Sequence, residues 1–315
     1  MSEKTDIIAI GESLIELSTK ESLTTASTLD KYYGGDTLTT AITALRLGSK
    51  VGFIARVGMD CFKNYLLESW QDEGLDISQV KPVQGFNGLY IVSQSGESSE
   101  KEFSLYRRKT AATKLSPDDI SAEYIQNSSL VYSTGITQSL SISAREAVKK
   151  AFTIAKENNV LTAYDPNFNS LIWSDEEAKE AFEEIQDNID ILFLNVKHDS
   201  KVIIDSNSVD NTMKYLWDKG ISTIIVKSAI EKGYFVGYQG KIDFVKFINE
   251  DVVNDTGAGD AFNGGVLHGI VSGMSPFKAA NLGSVVAGLQ IKNVGAIKSI
   301  PTKEEVYKIF KGQND

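Results

Sequence analysis

Asn254-Asp255-Thr256-Gly257-Ala258-Gly259-Asp260-Ala261-Phe262-Asn263-Gly264-Gly265 is followed by apolar residues at Val266, Leu267, Ile270 and Val271, a spacing that predicts a helix over Ala258–Ser272. The small residues Gly257, Ala258 and Gly259 let the backbone come close to a ligand, and the first amides of the helix have no intrahelical partner. Such a helix start attracts an anion through its N–H groups and its partial positive charge. Asp260 then stands beside the anion, placed to take the proton of an attacking alcohol during phosphoryl transfer. An acidic cap on a simple turn has the same composition, so this segment alone leaves a structural and a catalytic reading open. Two other phosphate motifs are excluded. The run from Gly257 to Phe262 lacks the third glycine of the dinucleotide fingerprint, and no Gly-x-x-x-x-Gly-Lys-Ser/Thr occurs in the chain.

Outward from that segment, short β-rich apolar runs alternate with stretches of helical period, the pattern of a sheet covered by helices on both faces. Strands are expected at Asp6–Gly11, Val51–Val57, Leu130–Thr134, Leu161–Tyr164, Ile191–Leu194 and Thr223–Val226. Helices are expected at Thr37–Leu47, Phe62–Glu73, Ser143–Asn158, Asp175–Gln186, Val209–Lys219, Ala258–Ser272 and Pro276–Asn293. In the Ser143–Asn158 helix, Ala147, Ala151, Ile154 and Ala155 form one stripe and read as core. Glu12–Tyr33 and Phe86–Lys109 break the alternation and read as extra β-structure, a lid over a cleft, with Ser95–Glu100 as a hairpin turn.

The 315 residues suffice for a sizeable core, and 42% hydrophobic with 23% charged residues is a globular composition. A net charge of −10 opposes non-specific binding to nucleic acid or anionic membranes, so an anionic ligand must be held by local donors. Cys61 has no cysteine to pair with, and His198 and His268 are too far apart in sequence for a zinc motif. The run Ile7–Ile10 is too short for a signal peptide or membrane span, and the expectation is a cytoplasmic protein.

Taken together with the order of its motifs, the chain resembles the ribokinase-like (PfkB) carbohydrate kinases. Asp255-Thr256-Gly257-Ala258-Gly259-Asp260-Ala261-Phe262 is similar to their C-terminal signature, with one residue fewer between Asp and Gly. Gly34-Gly35 before a helix, and Ile54-Ala55-Arg56-Val57-Gly58-Met59-Asp60 leading into Phe62, look like the first signature region. Within the family the chain is similar to archaeal-type 2-keto-3-deoxygluconate kinases through Gly34-Gly35-Asp36-Thr37-Leu38, Leu105-Tyr106-Arg107-Arg108-Lys109, Leu115–Ile120 and Ser133-Thr134-Gly135-Ile136-Thr137.

That resemblance implies a ribokinase-like three-layer α/β/α sandwich with a mainly parallel central sheet and a small β-sheet lid. It implies a single domain over 1–315 with lid segments at about 12–33 and 86–109. The activity it implies is ATP- and Mg2+-dependent phosphorylation of a sugar acid, with Asp260 as base and Gly257, Ala258 and Gly259 completing the catalytic turn. Gly34, Gly35, Asp36, Tyr90, Tyr106, Arg108, Ile136 and Asp260 are implied at the sugar, with Arg108 suited to a bidentate pair with a carboxylate. Asn167, Asn195, Lys227, Ser228, Gly257 and Gly259 are implied at the nucleotide. Lid strands that pair between subunits imply a homo-oligomer. Bland readings stand beside these: Tyr90 as core, Arg107-Arg108-Lys109 as a solvated basic turn, and the asparagines as turn formers.

Four positions depart from the family pattern. Thr39 replaces an Asn, His198 replaces the Glu of Asn-x-x-Glu, Asn169 replaces an Arg, and Ala296 replaces a late acid directed at the sugar. The metal arrangement is therefore left open. A fructokinase or other neutral-sugar kinase, and a catalytically inactive sugar or nucleotide sensor, are the alternatives.

Overall fold

Consecutive residues of a strand point to opposite faces, so a doubly covered sheet needs apolar residues at every position of its strands. The computed structural model, which describes residues 4–94, 101–248 and 252–312, shows this outcome. Its strands are β1 Thr5–Ile10, β2 Leu14–Thr19, β3 Asp30–Gly34, β4 Val51–Gly58, β5 Val80–Val83, β6 Gly88–Gln94, β7 Lys101–Tyr106, β8 Ser128–Thr134, β9 Leu161–Asp165, β10 Ile191–Asn195, β11 Thr223–Ser228, β12 Gly233–Tyr238 and β13 Lys241–Lys246. Its helices are α1 Asp36–Leu47, α2 Lys63–Glu73, α3 Ala122–Gln126, α4 Gly135–Gln138, α5 Ile142–Glu157, α6 Asp175–Glu183, α7 Asp199–Ile204, α8 Val209–Asp218, α9 Ala258–Val271, α10 Pro276–Gln290 and α11 Lys303–Gly312. The expected turn Ser95–Glu100 lies outside the described residues.

The large sheet runs β13-β12-β11-β10-β9-β8-β1-β4-β5, parallel from β11 through β5 and closed at one edge by the antiparallel pair β12 and β13. Ile7 and Ala9 of β1, Phe53 of β4, Tyr132 of β8 and Phe193 of β10 enter one core with α1, α9 and α10. The alternating residues Ile8, Ile10, Ile54, Val131, Leu192 and Leu194 enter a second core with α5 on the other face. These two cores make the three-layer α/β/α sandwich of the ribokinase-like fold.

A smaller sheet, β3-β2-β6-β7, stands beside the large one. Its central pair, β2 with β6, is parallel and the flanking pairs are antiparallel. The register puts Glu16, Tyr32 and Tyr90 on one face, while Ile15 on the other is buried in the first core.

The six expected strands and seven expected helices all appear, most within two residues of their expected ends. The expected helix to Asn293 stops at Gln290, and that to Gln186 stops at Glu183 with a 3-10 turn after it. β5, β12 and β13 were not expected. β5 and β13 are the edge strands of the large sheet, and an edge strand keeps a solvated face and loses the continuous apolar run that marks a central one; β12 lies between β11 and β13, and Gly237 interrupts its apolar run. Among the described residues no helix is long and apolar enough to cross a membrane.

Candidate active site

Strand order reverses between β1 and β8, and ligands of parallel α/β sheets collect at the carboxyl ends of strands beside such a reversal. The chain brings α9 there. Gly257, at the helix N-cap, has φ 81°, and a Cβ on it would meet the Ala296 Cβ at 3.1 Å. Both facts select glycine. Gly264 and Gly265 let α9 reach backbone contact with α1 and α10, since a Cβ at either position would lie 2.5 Å from Thr40 O or 2.8 Å from Gly283 Cα. Thr40 Oγ1 also donates to the Asp260 carbonyl at 3.1 Å.

No side chain caps α9; the Ala258 amide donates to the Asp255 carbonyl at 3.1 Å, and the Gly259 and Asp260 amides follow it at the helix start. Lys227, at the end of β11, closes the other side. A Cβ added at Gly259 would stand 3.5 Å from Lys227 Nζ, which leaves a space with helix amides on one wall and an ammonium on the other. The geometry suits a phosphate.

Around this space the strand ends deliver carboxylates. Asp165, ending β9, accepts from Lys227 Nζ at 2.7 Å and from Asn263 Nδ2 at 2.7 Å. Asp199, opening α7, accepts from the Phe168 amide at 2.8 Å and the Asn195 amide at 2.6 Å. Burial and the neighbouring Asp165 push the Asp199 carboxyl up to about 7. Asp260 is held well above the usual carboxylate range by burial first and by Asp36 and Asp165, against the pull of Lys227. A carboxylate with a raised proton affinity is the better base.

The sugar side is built from β1, the lid and α1. Gly34 ends β3 and Gly35 is the N-cap of α1, with Asp36 in the first turn of that helix. A Cβ at Gly34 would lie 2.7 Å from the Tyr90 hydroxyl, and Tyr90 donates to Glu16 at 2.5 Å. With its proton given to Glu16, the Tyr90 oxygen is left as an acceptor toward the cleft. Glu12, just past β1, is 1% exposed and lies 2.7 Å from Arg107. Arg107 Nη2 also donates to the Ile136 carbonyl at 3.1 Å. Both oxygens of Glu12 and of Asp36, with Arg107 Nε and Thr37 Oγ1, are buried without a protein hydrogen bond of good geometry. Buried polar atoms left over in this way mark where a polar ligand would be received.

Gly35 has φ 128°, and a Cβ there would lie 2.6 Å from the Glu12 carbonyl. Gly35→Ala is expected to cost about 1–3 kcal/mol of stability through backbone strain. It should also raise the sugar KM by displacing Glu12 and Asp36, measured by urea melts and steady-state kinetics.

The structure thus gathers Gly34, Gly35, Asp36, Tyr90, Ile136, Lys227, Gly257, Ala258, Gly259 and Asp260 about one crevice. Asn167, with φ 43°, donates its amide to Asp165, and Asn195 ends β10 beside Asp199. Ser228 is buried at the end of β11 and donates to Glu231. Two positions lie apart. Tyr106 pairs with Leu89, so it occupies the lid face opposite Tyr90 and is 59% exposed. Arg108 is exposed, one residue beyond the buried Arg107.

Glu12, Glu16, Arg107, Asp165, Asp199 and Asn263 carry much of the site's polar chemistry and were not singled out in the sequence. Arg107 and Asp165 stood next to residues that were. His198 is exposed, and the carboxylate at that strand end is supplied by Asp199, one residue later. Asn169 closes its own turn by accepting from the Leu171 amide at 2.9 Å.

Comparison with known proteins bears on the same site. A 5-dehydro-2-deoxygluconokinase of Clostridium beijerinckii is 26% identical over 321 residues, covering 99% of this chain and 94% of the relative. A 2-dehydro-3-deoxygluconokinase of Thermoproteus tenax is 29% identical over 311 residues, covering 97% and 94%. Among solved structures, a sugar kinase of Pyrococcus horikoshii in complex with ATP superposes with a TM-score of 0.78 at 26% identity, covering 96% of this chain and 97% of that one. A 2-dehydro-3-deoxygluconokinase of Thermotoga maritima shares the fold with a TM-score of 0.88 at 18% identity, covering 98% and 100%. The profile described as pfkB family carbohydrate kinase matches residues 4–303, nearly the whole chain that folds around this crevice, and the protein belongs to that family.

Proposed function

We propose that this chain transfers the γ-phosphate of ATP to a hydroxyl of a sugar acid, 2-keto-3-deoxygluconate, giving its 6-phosphate and ADP with Asp260 as general base. One observation carries this reading: a carboxyl of raised proton affinity at the mouth of an uncapped helix start, with Lys227 across the gap. The phosphoryl group sits on the leading amides of α9 and against Lys227. The substrate hydroxyl lies between that group and Asp260. As its oxygen attacks phosphorus, its proton passes to Asp260, and the bond to ADP breaks. Helix amides and Lys227 take up the charge that spreads over the phosphoryl oxygens.

Among the described residues no three of His, Cys, Asp or Glu converge on a metal. Mg2+ suits such a site, because it binds through nucleotide phosphates with only one or two carboxylates. Asp165 and Asp199 are the carboxylates at the right strand ends, and the ion supplies charge neutralisation when bound.

Arg107, buried in the cleft wall, is our first assignment for the substrate carboxylate, with Arg108 beside it at the surface. Arg107→Ala should raise KM for the sugar acid by about 10- to 100-fold, the loss of a charge-assisted contact of roughly 1.5–3 kcal/mol. KM for fructose should rise less, and the same substitution at Arg108 should have the smaller effect on the acid. An equal effect of Arg107→Ala on acid and neutral sugars would remove the carboxylate assignment.

The relatives named 5-dehydro-2-deoxygluconokinase support that isomeric acid as a second substrate to try. A neutral-sugar kinase is the further alternative, favoured by Glu12 already neutralising Arg107. ADP release measured across both keto-deoxy acids and fructose decides among them. Tight sugar binding without ADP release at high Mg2+ would instead favour a sensor. β7 is an edge strand of the lid with Phe103 53% exposed, which supports pairing with a second copy there.

A further inference from the structure

Glu12 and Arg107 form an ion pair that is buried, incomplete and inside the cleft. Arg107 is 8% exposed and spends Nη2 on Glu12 and the Ile136 carbonyl and Nη1 on Ser139 Oγ at 3.3 Å. Its Nε–H is buried and unused. The guanidinium therefore has a donor left for a ligand, but its charge is already matched by Glu12. A substrate carboxylate docking there would put two anions on one cation, in a place where water cannot screen them.

The groups around Glu12 offer no other relief. From the end of β7 comes Arg107, and from the first turn of α1 comes Asp36, a further anion. α4 contributes the Ile136 carbonyl to Arg107 and no charged side chain. On β2, Glu16 is engaged by Tyr90. Beyond Asp36 stands Asp165, which acts on it as another anion.

We propose that Glu12 is a proton-linked specificity residue: when a sugar-acid carboxylate docks on Arg107, Glu12 takes up one proton from solvent, whereas a neutral sugar binds with no proton uptake. The inference rests on the reading of the cleft as a sugar-acid site. The proton goes to Glu12 rather than the substrate because a carboxyl next to a keto or hydroxyl carbon is the stronger acid. Burial, opposed by Arg107 and reinforced by Asp36, already pushes the Glu12 carboxyl up to about 7. One more anion raises it further.

The sign follows from linkage. Below about 7, Glu12 carries its proton before binding, and affinity for the acid is flat with pH. Above that value binding must bring a proton in, and affinity falls by about tenfold per pH unit until the complex itself loses the proton. Affinity for a neutral sugar has no such slope from Glu12.

The test is calorimetric titration of the wild-type protein at pH 8 with 2-keto-3-deoxygluconate and with fructose, each in HEPES and in Tris, whose ionisation enthalpies differ. The expected result is uptake of roughly one proton per acid bound and none with fructose. Glu12→Gln should abolish the uptake and flatten the pH dependence of acid binding. Heats that do not depend on buffer, for an acid that binds and is phosphorylated, would overturn the proposal, as would uptake that persists in Glu12→Gln. Failure of any sugar acid to bind would overturn the sugar-acid reading and this inference with it. Because the wild-type comparison stands alone, the outcome does not depend on the variant folding.

Discussion

Asp260→Asn lowers kcat by about 10²–10⁴-fold, the range for loss of a general base, and leaves sugar binding measurable by calorimetry. Asparagine keeps the shape of the side chain and removes only its ability to accept a proton. The stability readout separates this role from a structural one. Asp260 shares its surroundings with Asp36 and Asp165, both of which disfavour its charge. Neutralising it relieves that repulsion, so the urea midpoint should hold or rise while turnover collapses. A residue that merely capped α9 would show the reverse, lower stability with near-normal kcat. Unchanged turnover in Asp260→Asn would end the assignment of the base.

Lys227→Met is expected to destabilise the protein by about 3 kcal/mol, the low end of the cost of removing one partner of a buried ion pair, because Asp165 is buried and Lys227 only partly so. Methionine keeps much of the length and apolar volume, so the loss is electrostatic. What it leaves behind is Asp165, which is 2% exposed, acting on Asp199 and Asp260 with the Asn263 side chain and the Asn167 amide still donating to it but no cation beside it. Adding Asp165→Asn to Lys227→Met should recover much of the stability, because the stranded charge is gone. Activity should stay low in the double variant, since the phosphate space has lost its ammonium. A single Lys227→Met variant as stable as the wild type would show that the pair contributes little.

The legible parts of the fold were those with a local physical signal. Ile191–Leu194 and Thr223–Val226 read as strands because a buried parallel strand is apolar at consecutive positions. β12 and β13 gave no such run, and their glycine and charged residues hid them. The start of α9 was legible because the small residues Gly257, Ala258 and Gly259 stand together and Asp260 follows directly. The departure at His198 looked like a lost carboxylate, yet Asp199 lies in the crevice. A one-residue shift at a helix start alters direction by a fraction of a turn, which sequence spacing does not resolve.

The sequence by itself determined the layered α/β architecture, the anion-attracting helix start and the identity of the candidate base, since each is written in residues adjacent along the chain. Only the tertiary structure decided which charges meet: Glu12 with Arg107, Asp165 with Lys227, and Asp36 with Asp260. Those partners are 62 to 224 residues apart in number, and composition says nothing of their distance. Their electrostatics depend on burial and separation in space, quantities that exist only once the strands have set their ends side by side.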